Sequence, residues 1–447
     1  MSEALILGAG ISGLAAGWAF RRDDVAVRLL EAGERPGGKV QTRERDAFRY
    51  ELGPHAVQGT PEVFELVAAA GLAGDVVAAS DKLKKRFLVH RGELVAAPMG
   101  PREAWSTPLI SRKGLLRAAT EPFRRRGPGP HESVTRFVNR RLGPEIARLV
   151  DALALGIFAG DPDELAMGYA FPKVYRLEAE HGSLLRGALA MRKANKQDGG
   201  GAEKASKLPY LLSFPRGLAS LVDRLAGELD VAYGKRVTAV AADGDGFVVR
   251  GASPGGDFEL RTRRLVAALP VDVAAGVLAG LGDTEPLTRL PHARVAVLSL
   301  GFERGQVRHP LDGFGFLAPH AEDRMLLGCL FSSTLFPDRA PEGHVALTVM
   351  AGGRRRPEEV ELDDATLLDR VLYELERLLG VTGEPVLAEI TRWRPGIAQA
   401  TARMAEVKDA VAALETAHPG LTVLGDWLHG VGVPACIKAG WSVTPKS

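Results

Sequence analysis

Alternation of apolar and polar positions divides the chain into recognisable elements. The apolar run Ala4 to Leu7 has the character of a buried strand. A helix is expected from about Ile11 to Arg22, and a second strand from Val25 to Leu30. Thr60-Pro61-Glu62 has the form of a helix start, and Gly71 that of its stop. Lys84 to Val95 alternates as a hairpin does, around a turn at Arg91-Gly92. Helical periodicity follows in Glu132 to Leu142, Glu145 to Leu155 and Glu178 to Lys196, whereas Lys193 to Pro209 is polar, glycine-rich and expected to be a loop. Pro215 to Glu228 is expected to be helical, and Arg236 to Ala241 and Leu265 to Leu269 to be strands. Four strand-like runs crowd into Ala293 to Gly352, a spacing that predicts a second sheet. Helices are expected at Asp363 to Gly380 and Thr401 to Ala417, and a last strand at Leu421 to Leu424.

Glycines between these elements carry the first chemical signal. Gly8, Gly10 and Gly13 stand in the spacing G-x-G-x-x-G, directly after a strand and at the start of a helix. Gly8 permits the turn, Gly10 admits a pyrophosphate to the backbone and Gly13 lets helix and strand pack closely. The free N–H groups of the helix N-terminus complete an anion site. Glu31 ends the second strand 18 positions after Gly13, where a carboxylate accepts hydrogen bonds from an adenosine ribose. Gly37 and Gly38 supply a second close backbone approach. Gly33 to Lys39 imitates a phosphate-binding G-x-x-x-x-G-K loop, but Val40 stands where a metal-binding hydroxyl belongs and no strand leads in. Near the C-terminus the device recurs as Gly430-Val431-Gly432, with Pro434 expected at the first position of a helix.

Composition narrows the class. The 447 residues are 46% hydrophobic and 25% charged, with a formal net charge of +2, so two or three cores are affordable and nucleic acid is not an expected partner. The charge is uneven: Lys82 to Arg148 holds sixteen Lys or Arg against five Asp or Glu. This stretch is either a solvated face or a surface for anionic headgroups, with Trp105, Leu109, Ile110, Leu115 and Leu116 among its charges. Two cysteines without C-x-x-C spacing give no disulfide framework or zinc site, and no metal is expected. The first strand begins at once, without a signal-like region, and no run reaches about 18 apolar residues. A cytoplasmic protein follows, one that could lie on the inner face of the cell membrane. No G-x-S-x-G elbow or H-E-x-x-H is present, which removes hydrolase and zinc-protease readings.

The run Glu31, Arg35, Gly37-Gly38 resembles the fingerprint of FAD-containing oxidases related to the amine oxidases. Taken with LGPH, KRFL, GIFAGDP, EHGSLLRG, DGFGFLAP, LTVMAGG and GVGVPACI, the chain resembles the protoporphyrinogen oxidase family along nearly its whole length. That resemblance implies an α/β fold, α+β in part: a discontinuous Rossmann-like FAD domain (1–81, 211–270 and 381–447), a basic helical, membrane-associating insertion (82–210) and a mixed-sheet substrate domain (271–380). It implies FAD contacts at Gly8, Gly10, Ile11, Ser12, Gly13, Glu31, Ala32, Lys39, Gly53, Pro54, His55, Ala56, Val237, Gly430, Val431 and Gly432. Arg86 matches the arginine that pairs with a substrate propionate, although a lone arginine at a strand end is also often a surface charge. Phe314, Leu317, Leu330 and Met350 are candidates for an apolar wall, although each alone is more often a core residue.

The implied activity is oxidation of protoporphyrinogen IX with dioxygen, by hydride transfer to flavin without a catalytic acid or base. Coproporphyrinogen III is the close alternative, and a silent flavoprotein acting as a binding partner the distant one, suggested by a short C-terminus. A homodimer is compatible with either. His55 replaces the asparagine common in plant members, and it is the next candidate for a carboxylate anchor should Arg86 not serve.

Overall fold

A computed structural model describes residues 4–80, 85–197 and 211–444. Its first sheet is all parallel, in the order Asp230–Ala232, Val27–Leu30, Ala4–Leu7, Arg264–Ala268, Leu421–Leu424. The central strand Ala4–Leu7 is fully buried, as an all-apolar run covered on both faces must be. Its neighbour starts at Val27 and not at the expected Val25, because Asp24 takes a positive φ of 56° and the Val25 N–H returns to the Phe20 carbonyl at 3.0 Å.

One face of this sheet is covered by helix Ile11–Arg22, buried from Ile11 to Phe20, and by helix Val433–Trp441. These two helices cross at Gly440, where a Cβ would lie 2.3 Å from the Ser12 carbonyl oxygen. The last helix starts at Val433, so Pro434 is its second residue and not its first. The other face packs on helices Val271–Val277 and Met404–Ala417 and on the antiparallel sheet Arg236–Asp243, Gly246–Ser253, Gly256–Thr262.

The second large sheet has seven strands in the order Leu387–Ala398, His292–Glu303, His344–Gly353, Leu326–Leu330, Gly315–Leu317, Phe87–His90, Glu93–Ala96. All neighbours are antiparallel except Gly315–Leu317 with Phe87–His90. Helix Asp364–Leu379 covers one face with Leu367, Val371, Leu375 and Leu379; Asp363 caps it, accepting from the Thr366 N–H at 3.0 Å, and Gly380 ends it at φ 63°.

Two expected boundaries shift here. Segment 82–210 gives its hairpin to this sheet, and segment 381–447 gives it the strand Leu387–Ala398. That strand escaped detection because Arg392, Arg394 and Pro395 break the apolar alternation. It lies at the sheet edge, where a proline without an N–H is tolerated.

Four further helices, Val134–Arg141, Pro144–Phe158, Pro172–His181 and Leu184–Gln197, gather around Phe137, Phe158, Leu165 and Met167. The expected single helix Glu178 to Lys196 is broken at Gly182, φ 71°, and the following turn is capped by Ser183, whose Oγ accepts from the Arg186 N–H at 3.2 Å. Not all of the basic charge is on the surface: Arg141 is fully buried against Glu121 at 2.5 Å, and Arg140 is held by Glu132 and Glu178 at 2.6 and 2.7 Å. The expected loop Lys193 to Pro209 lies largely outside the described residues. Among the described residues, no helix is long and apolar enough to cross a membrane.

Candidate flavin and substrate site

The glycine turn is built as its spacing requires. Gly8 has φ 95° and donates its N–H to Leu30 O at 2.8 Å, while a Cβ on Gly13 would stand 2.0 Å from Gly8 O. Gly10 differs: a Cβ there would meet nothing within 4 Å, so the backbone faces open space at the helix N-terminus. The second glycine pair closes against it. Gly37 donates to Ala9 O at 2.8 Å, and a Cβ on Gly38 would sit 3.5 Å from Gly10 Cα. Ile11 and Ser12 are buried in the first turn of that helix.

Glu31 organises the next part. Its carboxylate accepts from the Ala9 N–H at 2.9 Å and the Gly33 N–H at 2.8 Å, which fixes it beside the turn with acceptor capacity to spare. Lys235 donates to Glu31 O at 2.8 Å and Gly234 to Gly33 O at 3.0 Å, so exposed Ala32 and half-buried Val237 lie on adjacent segments. Lys39 reaches across to the C-terminal part, donating to Gly396 O at 2.6 Å and Asp426 Oδ2 at 2.8 Å. This tie was not anticipated. Its only trace in the sequence is the acid after the last strand, with a loop start, Gly430 at φ 122°, four residues on.

Gly53 follows the same logic of close approach, since its Cβ would lie 2.2 Å from Lys39 O. Pro54, His55 and Ala56 continue from it, half-buried. His55 Nε2 is 3.0 Å from Ser332 Oγ, which is 3.0 Å from Thr348 Oγ1. Burial, aided by the charge of Arg339, pushes the imidazole down to about 4. Through Ser332 the side chain ties the loop after Gly53 to the second sheet.

On that sheet, Leu330 pairs with Thr348, Gly328 with Met350, and Leu317 with Gly328. Cross-strand partners share a face, so Leu317, Leu330 and Met350 stand on one side, each only half-buried, opposite the side covered by helix Asp364–Leu379. Phe314 joins the strand end, donating its N–H to Lys85 O at 2.9 Å. The guanidinium of Arg86 lies over the Phe314 ring, 5.3 Å from its centroid. The side chain is thus held at the border of the apolar face.

Helix Pro144–Phe158 forms the facing wall, which sequence reading missed because its apolar spacing is equally that of a core helix. A Cβ on Gly156 would come 3.0 Å from Leu317 Cδ1. A separate cavity of about 560 Å³, lined by Arg43, Arg216, Asp75 and Asp223 among others, includes none of the residues expected from the sequence.

The geometry fits FAD. Gly10 leaves the diphosphate path free of side chains, Glu31 retains acceptors for a ribose, and the Gly430–Gly432 loop precedes a nine-residue helix whose N-terminus can stabilise negative charge. No group of His, Cys, Asp or Glu among the described residues is arranged to hold a metal ion.

Comparison with known proteins agrees. The family described as flavin containing amine oxidoreductase matches residues 11–444. The chain is 29% identical to the chloroplastic protoporphyrinogen oxidase of Nicotiana tabacum, covering 99% of this chain and 85% of that protein. It is equally 29% identical to the coproporphyrinogen III oxidase of Bacillus subtilis (strain 168), covering 98% and 96%. A crystal structure provisionally assigned as a protoporphyrinogen oxidase, from Exiguobacterium sp. 255-15, superposes with a TM-score of 0.80 at 25% identity, over 99% of this chain and 97% of the other. Putrescine oxidase shares the fold alone, with a TM-score of 0.68 at 16% identity over 98% of this chain and 97% of that one.

Proposed function

Because the chain belongs to the flavin containing amine oxidoreductase family, we propose that it oxidises protoporphyrinogen IX to protoporphyrin IX in three two-electron steps, with dioxygen as acceptor. The observation that carries the reading is the half-buried face of Leu317, Leu330 and Met350, bordered by Arg86 over Phe314. An apolar wall with a cation at its edge suits a hydrophobic macrocycle bearing carboxylates.

Bound FAD supplies the hydride acceptor. The protein's own contribution is position. Arg86 offers a bidentate fork to a propionate and so fixes rotation in the plane. Leu317, Leu330 and Met350 exclude water from the reacting face, and the His55–Ser332–Thr348 chain holds the loop after Gly53 against the sheet. Each step also releases one proton; over three steps the four meso carbons lose one hydrogen each and the pyrrole nitrogens lose two in all, so six hydrogens leave and three molecules of dioxygen become hydrogen peroxide. Coproporphyrinogen III remains a second substrate reading, favoured by the equal likeness to the Bacillus enzyme.

The same reading places the helical insertion against an anionic membrane surface. Its support is Trp105 at 64%, Leu116 at 66% and Phe123 at 85% exposure, set among arginines. Turnover of both porphyrinogens, followed by porphyrin fluorescence together with oxygen uptake, tests the function. Porphyrin formation with three dioxygen consumed per macrocycle supports it; oxidation of simple amines without porphyrin formation refutes it.

A further inference from the structure

We infer that Trp393 is a substrate-binding residue: its indole completes the apolar wall at the point where that wall meets the loop after Gly53, and it offers an aromatic surface to the macrocycle. This rests on the porphyrinogen reading above. Trp393 lies on the edge strand Leu387–Ala398, whose charged and proline positions hid it from the sequence pattern. Register places it. Trp393 pairs with Val295 and Met350 with Val297, and these two valines are two apart on one strand, so all four side chains share a face. It is the face of Leu317 and Leu330, since Met350 also pairs with Gly328, and Gly328 with Leu317. Ala296 and Leu298 point the other way, into the core under helix Asp364–Leu379.

The chain itself covers two ends of this face. Leu155 and Ala159, at the end of helix Pro144–Phe158, pack on Val295, Val297 and Leu327. Phe48, Tyr50 and Leu52 pack on Ala346 and Leu387. Trp393 touches both groups and still keeps accessible surface, as does Met350. The ring is fixed in place, because its Nε1–H donates to Leu52 O at 2.7 Å. Leu52 precedes Gly53, and three residues after Trp393 the Gly396 carbonyl accepts from Lys39 Nζ at 2.6 Å. His55, from the same loop, reaches Thr348 through Ser332. The loop is therefore held to this face at two points, the Trp393 indole and the Thr348 hydroxyl, and Met350 lies between them in register. A macrocycle laid on Leu317, Leu330 and Met350 has the indole at its flank on the side of that loop. Pyrrole rings pair well with an aromatic surface, and an indole already held by its N–H loses little rotamer freedom on binding.

The test uses holoenzyme labelled with 5-fluorotryptophan, in which the chain's five tryptophans carry the fluorine and Trp393→Phe identifies the resonance in question. Saturation with protoporphyrin IX should move the Trp393 resonance further than any other, because the ring current of the macrocycle falls off steeply with distance. Alongside, Trp393→Phe and Trp393→Leu are compared for porphyrin affinity, KM and kcat, flavin content and Tm. Trp393→Leu should weaken porphyrin binding and raise KM by about three- to tenfold. Trp393→Phe keeps an aromatic face and loses the bond to Leu52, and should stay within about twofold of wild type. A purely structural tie predicts otherwise, since both variants lose that bond and would behave alike. An unmoved Trp393 resonance at saturation, or equal porphyrin affinity in the two variants, overturns the contact. Should Trp393→Leu fail to retain flavin, the resonance decides. Porphyrin formation by a wild type whose Trp393 resonance does not move leaves the proposed function standing without this residue. A moved resonance without porphyrin formation from porphyrinogen refutes the function and supports the contact. A wild type that neither binds nor forms porphyrin overturns both.

Discussion

At the nucleotide end of the molecule, tolerance is measured in tenths of an ångström against backbone atoms: Gly8, Gly13 and Gly53 each lie so close to a carbonyl oxygen that a Cβ would fall within 2.4 Å of it. At the sheet end, Leu317, Leu330 and Met350 are half-buried side chains on a regular ladder, and one aliphatic residue could replace another at modest cost. The first region offers a diphosphate main-chain groups that cannot be moved and a ribose the Glu31 carboxylate. The second shapes a wall. Substitutions should therefore act on flavin retention and folding at one end, and on substrate constants at the other.

The largest effect separates two glycines only three positions apart. Gly10→Val should remove bound flavin while the apoprotein keeps a wild-type Tm, because its Cβ meets nothing in the protein and only the diphosphate path is blocked. Gly13→Ala should instead lower the Tm of the apoprotein, at a cost of about 1–3 kcal/mol or more, since its Cβ is driven to 2.0 Å from Gly8 O. Absorbance of the purified proteins and thermal melts read both, and equal behaviour of the two variants would break the comparison.

Next is Arg86→Ala, expected to lose a charge-assisted contact of about 1.5–3 kcal/mol, or roughly ten- to hundredfold in KM. Flavin content should be unchanged. Lys at this position should recover only part, having charge without the planar fork. Wild-type constants in Arg86→Ala would make it a surface charge.

A smaller effect concerns pH and the seam between the two regions. His55 is held down to about 4, by burial and then by Arg339, so the unfolded chain takes up its proton first as pH falls. Stability should decline from about pH 6.5 towards 4, and His55→Gln should flatten that decline. Glu51 does the opposite: burial raises it to about 7, so its native state keeps a proton that the unfolded chain loses, and stability should fall as pH rises from about 4.5 through 7. Glu51→Gln should remove that slope. Melts across pH 4–8 would expose either error as a slope of the wrong sign. The smallest expected effect is on vesicle flotation, where Phe123→Ser with Trp105→Ser should weaken recovery with anionic lipid, and added salt should weaken it further. Equal recovery with neutral and anionic vesicles would remove the electrostatic part.

The same contrast explains what could be read in advance. Gly8 to Gly13 and Glu31 are local in sequence and each residue type has one physical reason, so the nucleotide end was legible. The four strand-like apolar runs between Ala293 and Gly352 were visible too, from their regular spacing. The edge strand Leu387–Ala398 did not, because its exposed positions carry charge and proline. The wall formed by Pro144–Phe158 was hidden for a different reason: its apolar spacing is that of any core helix, and only the fold shows that it meets the sheet at Leu317. The Lys39–Asp426 pair joins positions far apart in the chain, for which periodicity carries no signal.

The most direct test of the central claim is anaerobic mixing of the yellow holoenzyme with protoporphyrinogen IX, watching the visible band of the flavin. Bleaching at a saturable rate, with porphyrin fluorescence appearing in step and colour returning on admission of air, is the predicted result. A flavin that stays oxidised with both protoporphyrinogen IX and coproporphyrinogen III, yet bleaches with an amine, would contradict it.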